Sequence, residues 1–327
     1  VAVPGGCGEA GTLPYTPGRG AVKPAQISVV IPTLDTKELT KASVDAVLRS
    51  SLPAGTRLEV VVVDDGSRDG TDTAFEGRPG VRVLRNDAPT GFSRAVNRGA
   101  RGAAGDLLVI LNSDTEIRPG SLARVVDAFA NDAGLGIAGA ALRYPDGSPQ
   151  WSAGPKPGVL WLFGLASGLP PLLGRLPAWR RLKPLHGKAP RDVAWVSGAA
   201  MAMRAAVWKE VGPFDETFHF YGQDRDLCLR AGDRGWRVRL LPDFEVVHHL
   251  GATISTASDS VLDSQNLALL WNDLVLGGEK RHGAVHARRA TRALRAGAVL
   301  RLVARQLALP FVPRPRREVW RAKTRIV

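Results

Sequence analysis

Residues 58–67 read LEVVVVDDGS. Four consecutive valines after Leu58 and Glu59, with no polar alternation, are the pattern of a strand buried on both faces. Such strands belong to parallel sheets covered by helices on each side. The run stops at Asp64-Asp65-Gly66-Ser67, residue types that favour turns. Working outward, ISVVIP (27–32) is a second short β-branched run, ended by Pro32. Between the two lies KELTKASVDAVLRSS (37–51), with Leu39, Val44, Val47 and Leu48 at helical spacing. Beyond them follow a strand VRVLRN (81–86), a helix GFSRAVNRGARGA (91–103) and a strand DLLVILNSD (106–114). A helix opened by Pro119 (119–132) and a strand GLGIAGAAL (134–142) complete the series. The alternation predicts an α/β fold: an open, mainly parallel, Rossmann-like sheet with helices on both faces.

Size allows one large α/β domain with an appendage, or two domains, since the chain has 327 residues and is 44% hydrophobic. Two cysteines, Cys7 and Cys228, form neither a disulfide framework nor a zinc motif, which points to a reducing compartment. No charged-then-apolar leader is visible, and a cytoplasmic location is the expectation. Residues 1–26, rich in Gly and Pro and without periodicity, read as a flexible arm or linker. Charge is unevenly placed. The chain has 44 Lys+Arg and 31 Asp+Glu; 14 of the bases but only one acid, Glu318, fall from Lys280 onward, so residues 1–279 balance at 30 of each. The tail carries the whole excess of +13. No G-x-G-x-x-G follows the first strand, which speaks against a nicotinamide-dependent dehydrogenase.

Ligands of such sheets bind outside the carboxyl ends of the strands. Three strands end there in polar clusters: Pro32-Thr33 with Asp35, then Asp64-Asp65-Gly66-Ser67, then Asn112-Ser113-Asp114. Any one of them is an ordinary turn or helix cap. Three at successive strand ends converge on one edge and mark a binding site.

Five segments, VVIPTLD, VVVVDDGSRDGT, LLVILNSD, WVSGAAMAMR and FYGQDRDLCLRAGDRGWRV, resemble in order and spacing the family-2 glycosyltransferases of the GT-A fold, in particular a bacterial rhamnosyltransferase-like group. The resemblance covers roughly residues 27–255. It implies a nucleotide-sugar donor, dTDP-rhamnose or a UDP-sugar, a divalent metal, Mn²⁺ or Mg²⁺, and transfer with inversion. NSD stands where the family has D-x-D. Asp114 is then the metal carboxylate, Ser113 lies within the motif, and Asn112, in place of the first aspartate, is a polar contact to the donor. His248, with His249 as second choice, aligns with a histidine that reaches back to the metal. Pro32, Thr33, Asp35 and Asp65, with Asp64, fall where the family reads the nucleotide, a carboxylate suiting the imide N–H of uracil or thymine.

Asp224 occupies the base position of the family's E-D-x-D motif, here QDRD, with Gln223 replacing the glutamate on the acceptor side. The rival reading is a helix N-cap. Asp226 and Arg230 are i, i+4 partners and read as structural. Ser197, Gly198 and Ala199 are small enough to let the donor sugar approach the backbone. Met201 and Met203 read as core. Trp195 either stacks on the acceptor or is buried.

Two segments point toward a membrane. GVLWLFGLASGLPPLLG (158–174) is uncharged but too short and broken to span a bilayer; it is either a buried insertion or an apolar lip for a lipid-linked acceptor. Residues 256–327 read as a helical, basic extension. Within it, 284–309 sets Leu294, Val299, Leu300, Leu302, Val303, Leu307 and Leu309 among arginines, with further arginines and Trp320 behind. This is the pattern of an anchor on an anionic membrane surface. No nucleic-acid motif or aromatic interleaving accompanies the charge, so nucleic acid is not the expected partner. The sequence thus predicts a peripheral enzyme on the inner face of the plasma membrane, transferring a sugar to a polyprenyl-diphosphate-linked glycan. A non-catalytic sugar-nucleotide or glycan-binding module is the alternative.

Overall fold

A computed structural model describes residues 24–169, 189–218, 222–249 and 264–311. The valine runs form adjacent parallel strands, β1 (Gln26–Thr33) and β2 (Arg57–Asp64), in register from Gln26 opposite Arg57 to Thr33 opposite Asp64. β3 (Val81–Arg85) extends the sheet beyond β2, and β4 (Leu107–Leu111) lies on the other side of β1. After the short β5 (Thr115–Ile117) come β6 (Leu135–Arg143), β7 (Ala153–Gly154), β8 (Arg191–Asp192), β9 (Trp195–Val196), β10 (Ala200–Arg204) and β11 (Arg237–His248). The main sheet has nine strands in the order β3-β2-β1-β4-β10-β6-β11-β5, with β8 beside β11. Six strands run one way; β5, β8 and β10 run against them.

The valine alternation builds both faces. Val60 and Val62 join Val29 and Ile31 in one core cluster with α1 (Lys37–Leu48) and α3 (Ser121–Asn131). Val61 and Val63 point to the opposite cluster with Val30, α2 (Phe92–Arg101), α5 (Ala205–Val211) and α6 (Gln223–Asp233). Each buried valine contributes roughly 1.5–3 kcal/mol.

β10, from AMAMR, lies antiparallel between β4 and β6, with Met201 and Met203 fully buried. The segment from 158 begins with α4 (Val159–Ser167). Its Trp161, Leu162 and Ala166 pack on Leu274, Ala290 and Leu294, a third core cluster, while Leu160 stays 58% exposed. The C-terminal helix lies within the extension expected to be helical. α7 (Ser264–Ala308) is broken at Gly283, whose φ of 78° is left-handed, and both segments flank α4. Of the tail's apolar positions Leu294 is therefore core, whereas Val299, Leu300, Val303 and Leu307 are exposed. Residues 1–23, 170–174 and 312–327, with Trp320 and most of the expected arm, lie outside the described residues.

Candidate active site

The carboxyl ends of β1, β2 and β4 come side by side, and hydroxyl groups stitch them together. Thr33 Oγ1 shares hydrogen bonds with Thr36 and Thr40, and Thr36 Oγ1 donates to Ser113 Oγ at 3.0 Å. Ser113 is thereby fixed to the start of α1. Asp35, at φ 51°, accepts from Arg68 N and has its own N–H bonded to Ser67 Oγ. Pro32 is buried in β1 opposite Val63.

The two aspartates after β2 are taken up within the chain. Asp64 pairs with Arg85 and accepts from Ser67 N. Asp65 accepts from Asn86 Nδ2, Thr90 N, Thr90 Oγ1 and Gly91 N, with both oxygens engaged. A carboxylate offers about four lone-pair sites, so Asp65 holds the 86–91 loop at the edge where the nucleotide is expected.

At the end of β4, Asn112 N donates to Ala199 O at 2.9 Å, and Asn112 Oδ1 is buried with no hydrogen-bond partner. Asp114 is 4% exposed, and its Oδ1 lies 3.3 Å from His248 Nε2. A residue that sequence reasoning passed over sets the histidine's tautomer. Gln150, itself buried, donates Nε2–H to His248 O at 2.6 Å, so its Oε1, 2.9 Å from His248 Nδ1, must accept. In the neutral ring the proton then sits on Nδ1, and the Nε2 lone pair is on the side of the Asp114 carboxylate. An imidazole nitrogen and a carboxylate 3.3 Å apart, beside the amide oxygen of Asn112 that has no hydrogen-bond partner, are the donor set that would hold a cation. Among the described residues no third His, Cys, Asp or Glu completes the group; a Mg²⁺- or Mn²⁺-type ion there would take its remaining oxygens from phosphates and water. His249 faces elsewhere: its N–H donates to Asp114 O, but its ring binds Glu116. Gln150 sits in no motif, and an isolated glutamine carries no sequence signal of this role.

Asp224 lies in the first turn of α6, after Gly222 at φ 109°. Its Oδ2 accepts from Gly198 N at 2.8 Å and its Oδ1 from Arg225 N at 2.7 Å. A Cβ on Gly198 would lie 3.2 Å from Asp224 Cβ, so the glycine permits this approach. One loop thus grips both halves of the site: Gly198 holds Asp224 and Ala199 holds Asn112. Gln223 is buried at the head of α6. Asp226 bonds Arg230 at 2.7 Å, as its spacing implied. Trp195 is not on an open acceptor side. It is 9% exposed, edge-on to Trp151, with Nε1 bonded to Pro155 O, because β9 carries it into the core.

The model of the Glycosyl transferase family 2 matches residues 28–188. The N-acetylglucosaminyl-diphospho-decaprenol L-rhamnosyltransferase of Mycobacterium tuberculosis is 35% identical over 216 residues, 61% of this chain and 69% of that protein. The chain belongs to glycosyl transferase family 2. An O-antigen biosynthesis protein of Myxococcus xanthus is 30% identical over 244 residues, 72% of this chain and 18% of that much longer protein. Among solved structures, a mannosyltransferase of Pyrobaculum calidifontis in complex with GDP-Man and Mn²⁺ aligns at TM-score 0.57 and 19% identity, over 90% of this chain and 79% of that one. That likeness confirms the GT-A fold. Family membership makes the chain a glycosyltransferase, and the 35% identical relative makes it rhamnosyltransferase-like.

Proposed function

We propose that the chain is an inverting, metal-assisted glycosyltransferase. It moves a sugar from a nucleoside diphosphate, dTDP-rhamnose or a UDP-sugar, onto a hydroxyl of a polyprenyl-diphosphate-linked glycan for the cell envelope. The observation that carries the reading is the Gly198-Ala199 loop, which holds the Asp224 carboxylate and the Asn112–Asp114 motif together. Asp114 and His248 are the residues that would hold Mn²⁺ or Mg²⁺, and Asn112 Oδ1 meets the donor. When bound, the cation neutralises charge on the departing diphosphate. Asp224, fixed by two backbone N–H groups, takes the proton of the acceptor hydroxyl while its oxygen bonds to the anomeric carbon and the nucleoside diphosphate leaves. Pro32, Thr33, Asp35, Asp64 and Asp65 shape the nucleotide end, the last two by fixing the loops around it. The donor sugar is supported by the rhamnosyltransferase relative, and the acceptor by that relative's name.

Localisation on the inner face of the membrane is supported by the exposed apolar positions of α4 and α7, interleaved with the exposed Arg288, Arg289, Arg292 and Arg295. Among the described residues no helix is long and apolar enough to cross a membrane.

The test is nucleoside diphosphate release across UDP-, dTDP- and GDP-sugars with Mn²⁺, Mg²⁺ or EDTA. Release from one donor, lost in EDTA, is the expected result. Release indifferent to EDTA contradicts the role of Asp114 and His248. Binding without release, with lipid-linked acceptor present, supports a binding module instead.

A further inference from the structure

Arg225 follows Asp224 in the first turn of α6 and is buried, only 8% exposed. Its own N–H is one of the two donors that hold the Asp224 carboxylate, 2.7 Å from Oδ1. Its side chain turns to another element. Nη2 donates to the carbonyl oxygen of Asp273, on α7, at 3.3 Å, and Asp273 is itself buried. Two glycines from different segments make room for that nitrogen. A Cβ on Gly222, just before α6, would lie 3.1 Å from Nη2, and one on Gly277 of α7 would lie 3.4 Å from it. A buried charge is costly unless other charges compensate it. Burial pushes the Arg225 guanidinium below the usual arginine range, and the charges of Asp224, Asp273 and Asp226 oppose that push.

This contact belongs to a longer seam between α6 and α7. Arg281 of α7 donates to Leu229 O at 3.3 Å and pairs with Asp233 at the end of α6. Lys280 pairs with Asp215 and stands 5.6 Å from the centre of the Phe218 ring, in the segment that leads into α6. Those two ion pairs are partly exposed, and exposed pairs fix little. Arg225 is buried, and its backbone reaches the proposed base. A continuous path therefore runs from α7 to the site: Asp273 carbonyl, Arg225 guanidinium, Arg225 N–H, Asp224 carboxylate.

We propose that Arg225 is a positioning residue for the base: seated on α7, its side chain sets the N–H that aims Asp224, so the C-terminal helix is part of the catalytic unit. The proposal rests on the reading of Asp224 as the base. A displacement of about 1 Å at a reacting group can lower the rate on the order of a hundredfold. A merely structural arginine would lower the rate whatever stood at position 224. An arginine that acts through Asp224 has nothing to act on once that carboxylate is gone.

Arg225→Met, Asp224→Asn and the double variant test this in the full chain. The readout is nucleoside diphosphate release from the donor turned over in the panel above, with a polyprenyl-diphosphate-linked glycan as acceptor. Arg225→Met should lower kcat about tenfold or more and leave the donor KM within about twofold of the parent. In the Asp224→Asn background the same change should lower kcat by less than about twofold. Losses that multiply, a raised KM with kcat kept, or a parent kcat in Arg225→Met overturn the proposal and leave Asp224 as the base. Gly277→Val is the second variant, since it keeps Arg225 and crowds its Nη2. It should show the same fall in kcat and the same absence of further loss beside Asp224→Asn, and it decides if Arg225→Met does not fold. A folded Gly277→Val chain with the parent kcat overturns the proposal. Parent turnover in Asp224→Asn, or no turnover of any donor, is a separate failure: it removes the base, and the positioning role with it.

Discussion

Asp65 and Asp224 are both carboxylates at the site, and their hydrogen bonds set them apart. Asp65 receives donors from three residues on both oxygens; Asp224 receives one backbone N–H on each, leaving lone pairs on both for a substrate proton. Replacing Asp65 by Ala strands several buried donors of the 86–91 loop. The variant should lose about 3 kcal/mol of stability, read as a lower midpoint in thermal or urea unfolding. An unchanged midpoint would show that the loop is held by other means. The sequence puts Asp64 and Asp65 side by side at a strand end and cannot say which donors each will meet, because Asn86 and Thr90 lie more than twenty residues away. The place of Asp224 at the head of a helix was legible in the sequence, and so was that of His248 at the end of the last strand. Gln150, which fixes the His248 tautomer, was not, since its role depends on a contact across 98 residues.

Elements with a strong period were read well: β1, β2 and their helices follow directly from continuous or helically spaced apolar runs. β10 escaped because AMAMR is short and rich in alanine and methionine, residues with no preference for strands; only its burial between β4 and β6 makes it one. That strand matters for the site, as the loop entering it carries Gly198 and Ala199. Gly198→Val is the element-scale probe. Added carbons would press on Asp224 and displace either the loop or the head of α6, and misplacement of about 1 Å can cost on the order of a hundredfold in turnover. We expect kcat to fall by about that factor with the unfolding midpoint little changed. Full activity would mean that the approach of the loop to α6 is not needed for chemistry.

At the scale of the whole molecule, the C-terminal extension is not a detached tail. Ala290 and Leu294 of α7 complete a core with Trp161 and Leu162 of α4, so deleting the extension would uncover that core. Membrane attachment is better tested on the exposed positions. Val303→Asp with Leu307→Asp, at sites 49% and 70% exposed, should leave folding intact and reduce co-sedimentation with anionic vesicles about tenfold or more. Unaltered sedimentation would remove this face from the account.

The catalytic assignment brings these scales together, and Asp224→Asn tests it most directly. Asparagine keeps the size of the side chain and an acceptor for Gly198 N while removing the base. Nucleoside diphosphate release with a lipid-linked acceptor should fall by more than about a hundredfold, with donor binding retained. Turnover within a few-fold of the parent would contradict the mechanism.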